Sequence, residues 1–347
     1  MSITAFEKST LVRSAPVKLA FIKTAFVKFA PVNIASAKFA PVNFRNNNYN
    51  NNLPLTLLVF HQWRILFDKQ WIEWIGGVGV LCIATEKPWD IRDLVWSKEA
   101  GSVATDGVYL KTGMIIDGAK HYLKLSNYDS YRGIFGHEAV NELIASRLGS
   151  VLEVNVPKGT LRKSLVRVEE REYEAYVFSA ESYKTTHSRE AFENYYVAHR
   201  LSERESPLDL CKRFCWEDDI YKMFIFDYLI INRDRHGANL EVMKNKNSKL
   251  SPLFDNGLSF VCSCTEESDL ESFDTMHDRP VNNFIGTKYL KRNLELIDKR
   301  VKISELTESN RETLFRDLDG VLSNRYFTYM WEIIWRRWQD VKKFRAA

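Results

Sequence analysis

The segment Asp227-Tyr-Leu-Ile-Ile-Asn-Arg-Asp234-Arg-His236-Gly-Ala-Asn239-Leu-Glu-Val-Met243 joins an apolar run to a polar loop and then to a second, shorter apolar run. The first run predicts a helix over about Asp218–Ile230, and the last predicts a short strand over Leu240–Met243. The loop between them, Asn232 to Asn239, holds two carboxyl or amide groups at a fixed offset, Asp234 and Asn239. Downstream stands Pro252-Leu-Phe-Asp255-Asn-Gly257, a second acidic turn in which Gly257 is expected to let the chain turn away sharply. Phosphoryl transfer needs these residue types. One carboxylate orients or deprotonates the incoming hydroxyl, and hard oxygen ligands hold Mg²⁺ against the phosphates. Alone, each piece also fits a solvated turn with Asn and Asp caps. Their order and separations favour the catalytic reading.

Working back toward the amino terminus, Val108-Tyr-Leu-Lys111-Thr and His121-Tyr-Leu-Lys124-Leu alternate with period two and read as strands. Asp117-Gly118 between them is a hairpin signal. Gly136 to Gly149 reads as a helix with Val140, Leu143, Ile144 and Leu148 on one face and Gly149 as its stop. Val151–Pro157, Leu165–Glu169 and Glu172–Phe178 read as further strands. From Ser188 onward the pattern is mainly helical, except around 240–262. The expected architecture is α+β and bilobal, a small β-rich lobe followed by a larger helical one.

The D-R-H-x-x-N loop at Asp234–Asn239, with the downstream Asp255, resembles the HipA-like serine/threonine kinases, whose fold is protein-kinase-like. A similar loop occurs in phosphatidylinositol 3/4-kinases. The resemblance spans roughly Trp96 to Trp338. It implies ATP and Mg²⁺ as cofactors, Asp234 as catalytic carboxylate, Asn239 and Asp255 as metal ligands, and His236 as a structural or phosphate-side residue of the loop. Gly107-Val-Tyr-Leu-Lys111 resembles the family's segment near the nucleotide. Lys124 resembles the strand lysine that holds the α/β-phosphates, and Glu138 stands where the family's helix glutamate would pair with it. The only candidate phosphate loop is Gly101-Ser102-Val-Ala-Thr105-Asp-Gly107, so Ser102 and Gly107 are expected at the cofactor, with Ser102 or Thr105 as autophosphorylation sites. Two departures matter. Asn256 replaces the Phe that follows the metal-binding Asp in many kinases, and Asn232 replaces the His of H-R-D. The acceptor is not encoded in the loop. A protein Ser or Thr, a lipid or a small molecule all remain open, as does a pseudokinase that binds nucleotide or a partner without transfer. The resemblance also implies an antitoxin-like regulator.

The remaining sequence sets bounds. The chain has 347 residues, 45% of them hydrophobic and 27% charged, which is ordinary for a protein with a real core. The chain's net charge is +4, but residues 1–52 alone carry +6, with Lys8, Arg13, Lys18, Lys23, Lys28, Lys38 and Arg45 against only Glu7. The rest is slightly acidic, so direct nucleic-acid binding is not expected. Residues 5–44 repeat with period five, which matches neither helix nor strand. Pro16, Pro31 and Pro41 interrupt any helix. A five-residue β-solenoid or a transit peptide is conceivable, but the reading favoured is an unfolded tandem repeat, closed by the Asn-rich linker Asn46–Asn52. Residues 53–95 form an apolar, Trp-rich segment of unassigned role, helix-like around Val59–Phe67. The kinase domain is expected over 96–345, with lobes of about 96–185 and 186–345.

Five cysteines, Cys82, Cys211, Cys215, Cys262 and Cys264, lack zinc spacing and suit a reduced, cytoplasmic protein. No stretch reaches the ~18 apolar residues of a membrane span, and no secretory signal is evident. Trp331, Trp335, Trp338 and Val341 share a helix face and read as core, with Arg336-Arg337 and Lys342-Lys343 turned to solvent.

Overall fold

The structure is a computed structural model that describes residues 38–41, 62–67, 70–75, 78–81, 87–98, 110–183, 188–244 and 247–346. The chain divides into two compact units, Met1–Lys87 and Pro88–Ala347. In the first, β1 (Lys38–Pro41), β2 (Gln62–Phe67), β3 (Gln70–Ile75) and β4 (Val78–Leu81) form an antiparallel sheet in sequence order. The stretch expected to be helix-like around Val59–Phe67 is thus a strand from Gln62. Trp63, Ile65 and Phe67 are β-formers, and they outweigh the weak helical period. The remainder of the five-residue repeat and the Asn-rich linker lie outside the described residues.

The second unit opens with β5 (Trp89–Asp90) and β6 (Ser97–Lys98), continues through β7 (Leu110–Ile116) and β8 (Ala119–Lys124), and then forms a small hairpin, β9 (Asn127–Asp129) and β10 (Gly133–Phe135). Helix α1 (Glu138–Leu152) follows, then the long hairpin β11 (Gly159–Val168) and β12 (Arg171–Glu181). Six strands form one sheet in the order β5-β11-β12-β8-β7-β6. The β7–β8 turn has positive φ at both central residues, 49° at Asp117 and 81° at Gly118. That is the twist-matched hairpin geometry the Asp-Gly pair favours.

Successive residues of a strand face opposite sides of the sheet, and here both sides are covered. Phe178 packs with α1 in the main core. Its neighbour Val177 packs on the other face with Leu110, Leu123 and Ile91, flanked by Trp89, Leu94 and Trp96. The small lobe therefore begins at Pro88 rather than 96, because residues 89–96 close the sheet's second face and Trp89–Asp90 pair in parallel with β11.

Two local expectations change. Helix α1 runs past Gly149 to Leu152 and stops at Glu153, which is left-handed with φ 57°. Gly149 serves close approach instead, since a Cβ there would collide with the side chain of Val156. The expected strand over Val151–Pro157 is therefore the last two residues of the helix followed by an irregular connection.

The large lobe holds β13 (Ser188–Ala191), α2 (Phe192–His199), α3 (Pro207–Arg213) and α4 (Glu217–Ile230). After α4 come β14 (Asp234–Arg235), β15 (Glu241–Lys244), β16 (Lys249–Leu250) and β17 (Asn282–Asn283). The chain finishes with α5 (Leu290–Leu294), α6 (Asn310–Phe315) and α7 (Asn324–Ala346). From Ile220 to Ile230, α4 is buried at every residue but Lys222, as expected of a central helix with no solvent face. On α7, Met330, Ile333, Ile334, Trp338 and Val341 make the buried stripe, and Trp331 stacks on Trp335 at its edge.

Arg337 does not face solvent. It lies on that buried stripe and is fully buried. Its guanidinium donates to the carbonyls of Thr275, Tyr228 and His277 at 2.9, 3.2 and 3.0 Å and lies over the Tyr228 ring. A buried guanidinium is tolerable because its donors find acceptors.

Candidate active site

A cavity of about 380 Å³ lies between the small sheet and the Asp234–Asn239 loop, within the range of small-ligand sites. The apolar part of its lining is Pro157, Phe178, Ala180 and Phe254. The polar lining is Lys111, Lys124, Glu142, His236, Asn239 and Asp255, among others.

Lys111 and Lys124 are direct cross-strand partners in β7 and β8. Like charges placed so are destabilising unless an anion stands between them. Asp255 does so: Lys124 Nζ lies 2.7 Å from Oδ1 and Lys111 Nζ lies 2.9 Å from Oδ2. Lys124 also donates to Glu142 Oε1 at 2.6 Å. Burial alone would push the Asp255 carboxyl up. The two ammonium groups outweigh it and hold the carboxyl well below the usual carboxylate range. Burial likewise disfavours the Lys124 cation, and the charges of Asp255 and Glu142 outweigh that and raise its pKa.

The expected Lys124–Glu138 pair does not form. Helix α1 starts at Glu138, and the residue one turn further along the same face, Glu142, reaches Lys124. Glu138 instead accepts from Asn127, from the backbone N at 3.2 Å and Nδ2 at 2.7 Å, and is 2% exposed. Burial raises its pKa from 4.5 to about 7. The folded state then keeps a proton that the unfolded chain releases. Glu138 thus supports folding below about pH 4.5, and that support is lost as pH rises through about 7. Glu138→Gln should therefore gain stability relative to the parent between pH 4.5 and 8, by up to roughly 3 kcal/mol. Urea unfolding across that range measures it, and a pH-independent difference would refute the assignment.

On the other wall, α4 ends with Ile231 in the left-handed conformation, φ 53°, and the chain swings into the loop. Asp234 is 8% exposed. Burial raises its pKa, His236 and Arg235 oppose the rise, and Asp255 adds to it. His236 Nε2 sits 3.6 Å from Asp234 Oδ2, while its Nδ1 accepts from Ala238 N at 3.2 Å and caps the short turn Gly237–Asn239. Asn239 Nδ2 donates to the Asp234 carbonyl at 2.8 Å, which leaves Oδ1 as the amide's ligand atom. Gly237 is required by contact, because a Cβ there would lie 2.6 Å from Glu193 Cβ.

The sharp turn expected at Gly257 lies at Asp255 itself, φ 58°. Gly257 lies against α1 instead: a Cβ there would sit 3.2 Å from Glu138 Cβ. Asn141 Nδ2 donates to the carbonyls of Gly257 and Ser259 at 2.8 and 3.0 Å.

Asp234, Asn239, His236, Asp255, Lys111 and Lys124 thus share one region. Ser102, Thr105 and Gly107 lie outside the described residues. Sequence reasoning missed Glu142, whose signal was its place one helical turn after Glu138. It also missed Asn282, whose Nδ2 donates to Asp234 Oδ1 at 3.4 Å from the strand paired with β14. Among the described residues no group of three His, Cys, Asp or Glu side chains is placed to hold a metal ion. Two oxygen ligands, Asp255 and Asn239, suit Mg²⁺, which keeps waters and takes other ligands from substrate phosphates. The apolar wall and paired lysines suit a nucleotide.

No protein-family model matches the sequence, and no curated protein matches it either. The fold is similar to that of the Helicobacter pylori proinflammatory kinase CtkA, with a TM-score of 0.50 and 12% identity over 75% of this chain and 98% of that one. A structure of HipA from the Shewanella oneidensis MR-1 toxin–antitoxin system, in complex with HipB and operator DNA, aligns with a TM-score of 0.33 and 14% identity over 72% of this chain and 61% of HipA. The chain has the bilobal, HipA-like kinase fold that its motifs resemble.

Proposed function

We propose that this chain is an ATP- and Mg²⁺-dependent phosphotransferase that moves the γ-phosphoryl group to a hydroxyl, with a protein Ser or Thr as the expected acceptor. The observation that carries this reading is the convergence of two in-register lysines on Asp255, in a cavity also lined by His236 and Asn239 of the loop that carries Asp234. Lys124 and Lys111 would bind phosphate oxygens. Asp255 and Asn239 would hold Mg²⁺, which when bound neutralises charge on the transferring phosphates. Asp234, kept partly desolvated, would orient the acceptor hydroxyl and take its proton. His236 shapes the loop rather than supplying a ligand, because Nδ1 caps the turn at Ala238. The apolar wall at Phe178 and Ala180 would cover the adenine.

Under this reading the protein works in the cytoplasm, and an antitoxin-like protein restrains it. No described helix is long and apolar enough to cross a membrane.

The experiment is incubation of the full chain with γ-labelled ATP and Mg²⁺, alone and in a lysate. The expected result is label on the chain, Ser102 or Thr105 being the candidate sites, or on one lysate protein. Label on a lipid or small molecule would change the acceptor class. A Mg·ATP-dependent rise in melting temperature with no label anywhere would replace the enzyme with a nucleotide-binding pseudokinase.

A further inference from the structure

We propose that Arg235 and Asn256 are positioning residues, a buried polar lock that holds Asp234 and Asp255 at one fixed spacing. The inference rests on the phosphotransferase reading for its kinetic meaning, but its geometry stands alone.

Arg235 is 1% exposed and Asp227, on α4, is 0% exposed. The guanidinium donates to both Asp227 oxygens, Nη2 to Oδ1 at 2.8 Å and Nε to Oδ2 at 3.1 Å. The same group reaches the second acidic turn. Nη2 donates to Asn256 Oδ1 at 2.7 Å, and Nη1 donates to the Phe254 carbonyl at 2.7 Å. Asp227 Oδ1 also accepts from Asn232 Nδ2 at 3.1 Å, and Asn232 Oδ1 accepts from the Asp234 amide at 3.0 Å. The residues on both sides of Asp255 are therefore tied to Arg235 and, through Asp227, to Asn232, which holds the Asp234 amide.

Asn256 completes the lock. Its Nδ2 donates to the Leu253 carbonyl at 3.0 Å, and its backbone N donates to Glu142 Oε1 at 3.1 Å. Glu142 is also the partner of Lys124. One residue, through its side-chain amide and its backbone N, thus links the large-lobe loop, the acidic turn and the small-lobe helix. Asn256 is held on three sides.

A fully buried ion pair adds little net stability compared with apolar groups of the same shape. Its geometric consequence is larger: a misplacement of about 1 Å at reacting groups can cost about 10²-fold in rate. Asn256→Leu keeps the side chain's size and removes the acceptor of Arg235. Asp227→Asn with Arg235→Met removes the other half without leaving an unpaired buried charge.

The test is a double-mutant cycle between these two changes, read by kcat, KM for ATP, half-saturating Mg²⁺ and hydrogen exchange of segment 252–259. Each variant should lose about 10²-fold in kcat with little change in KM for ATP, need more Mg²⁺, and exchange faster in that segment. The combined variant should lose little more than either alone. A folded Asn256→Leu with parental kcat and parental exchange would overturn the lock, and so would fully additive losses. If the parent transfers no phosphoryl group, the functional reading fails, and exchange in 252–259 alone decides the lock.

Discussion

Asp234→Ala is expected to lower kcat for phosphoryl transfer about 10²–10⁴-fold while Mg·ATP still binds. The Asp234 residue is 8% exposed, with His236 and Asn282 at its carboxylate oxygens. In the proposed reaction it would meet the incoming hydroxyl. Removing it takes away proton acceptance and leaves the lysines and Asp255 in place. Steady-state kinetics with labelled ATP measure the loss, and thermal shift with Mg·ATP checks that binding survives. The parent's pH profile adds a second view. Burial raises the Asp234 pKa, so activity should fall, as pH is lowered, at a higher pH than an ordinary Asp carboxyl would set. A profile flat down to pH 4 would remove Asp234 from the proton-accepting role.

Asp255→Ala has the second large effect, and it falls on binding. The substitution leaves Lys111 and Lys124 facing each other across two strands, with only Glu142 as a counter-charge for Lys124. These side chains are 23% and 15% exposed, so water screens the repulsion only in part. Loss of one partner in a mostly buried pair costs about 3–5 kcal/mol; the surviving Glu142 contact places this variant near or below the lower figure. Mg²⁺-dependent nucleotide binding should disappear. Calorimetry with and without Mg²⁺ reads this directly, and unchanged Mg²⁺-dependent affinity would contradict the metal role. The ion pair also sets an acid limit. The Asp255 pKa is lowered in the folded state, so its stabilisation is complete above the ordinary Asp range and is lost only in strong acid.

Short-range polar chemistry was readable in the sequence, and long-range pairing was not. Asp234, His236 and Asn239 lie on one loop, so their spacing alone predicts a shared site. Lys111 and Lys124 were legible because Asp117-Gly118 forces their strands into register. Glu142 was not, because Glu138 and Glu142 lie on one helix face and only the start of α1 decides which reaches Lys124. Arg235 looked like a loop residue. Its burial depends on Asp227, a helix residue whose inward direction no local pattern reveals inside an apolar run. Arg337 failed for a similar reason. Its charge suggested solvent, while its place on the stripe with Met330, Ile334 and Val341 put it inside, where three carbonyls receive it. Residues 89–96 had no periodic signal, because they cover a sheet face mainly as irregular chain.

A crystal structure of the full chain with Mn²⁺ and a non-hydrolysable ATP analogue tests the central placement most directly. The account predicts an anomalous peak bound by Asp255 and Asn239, with the analogue's phosphates on Lys124 and Lys111 and its base against Phe178. Nucleotide bound elsewhere, or a metal that touches neither Asp255 nor Asn239, would contradict it.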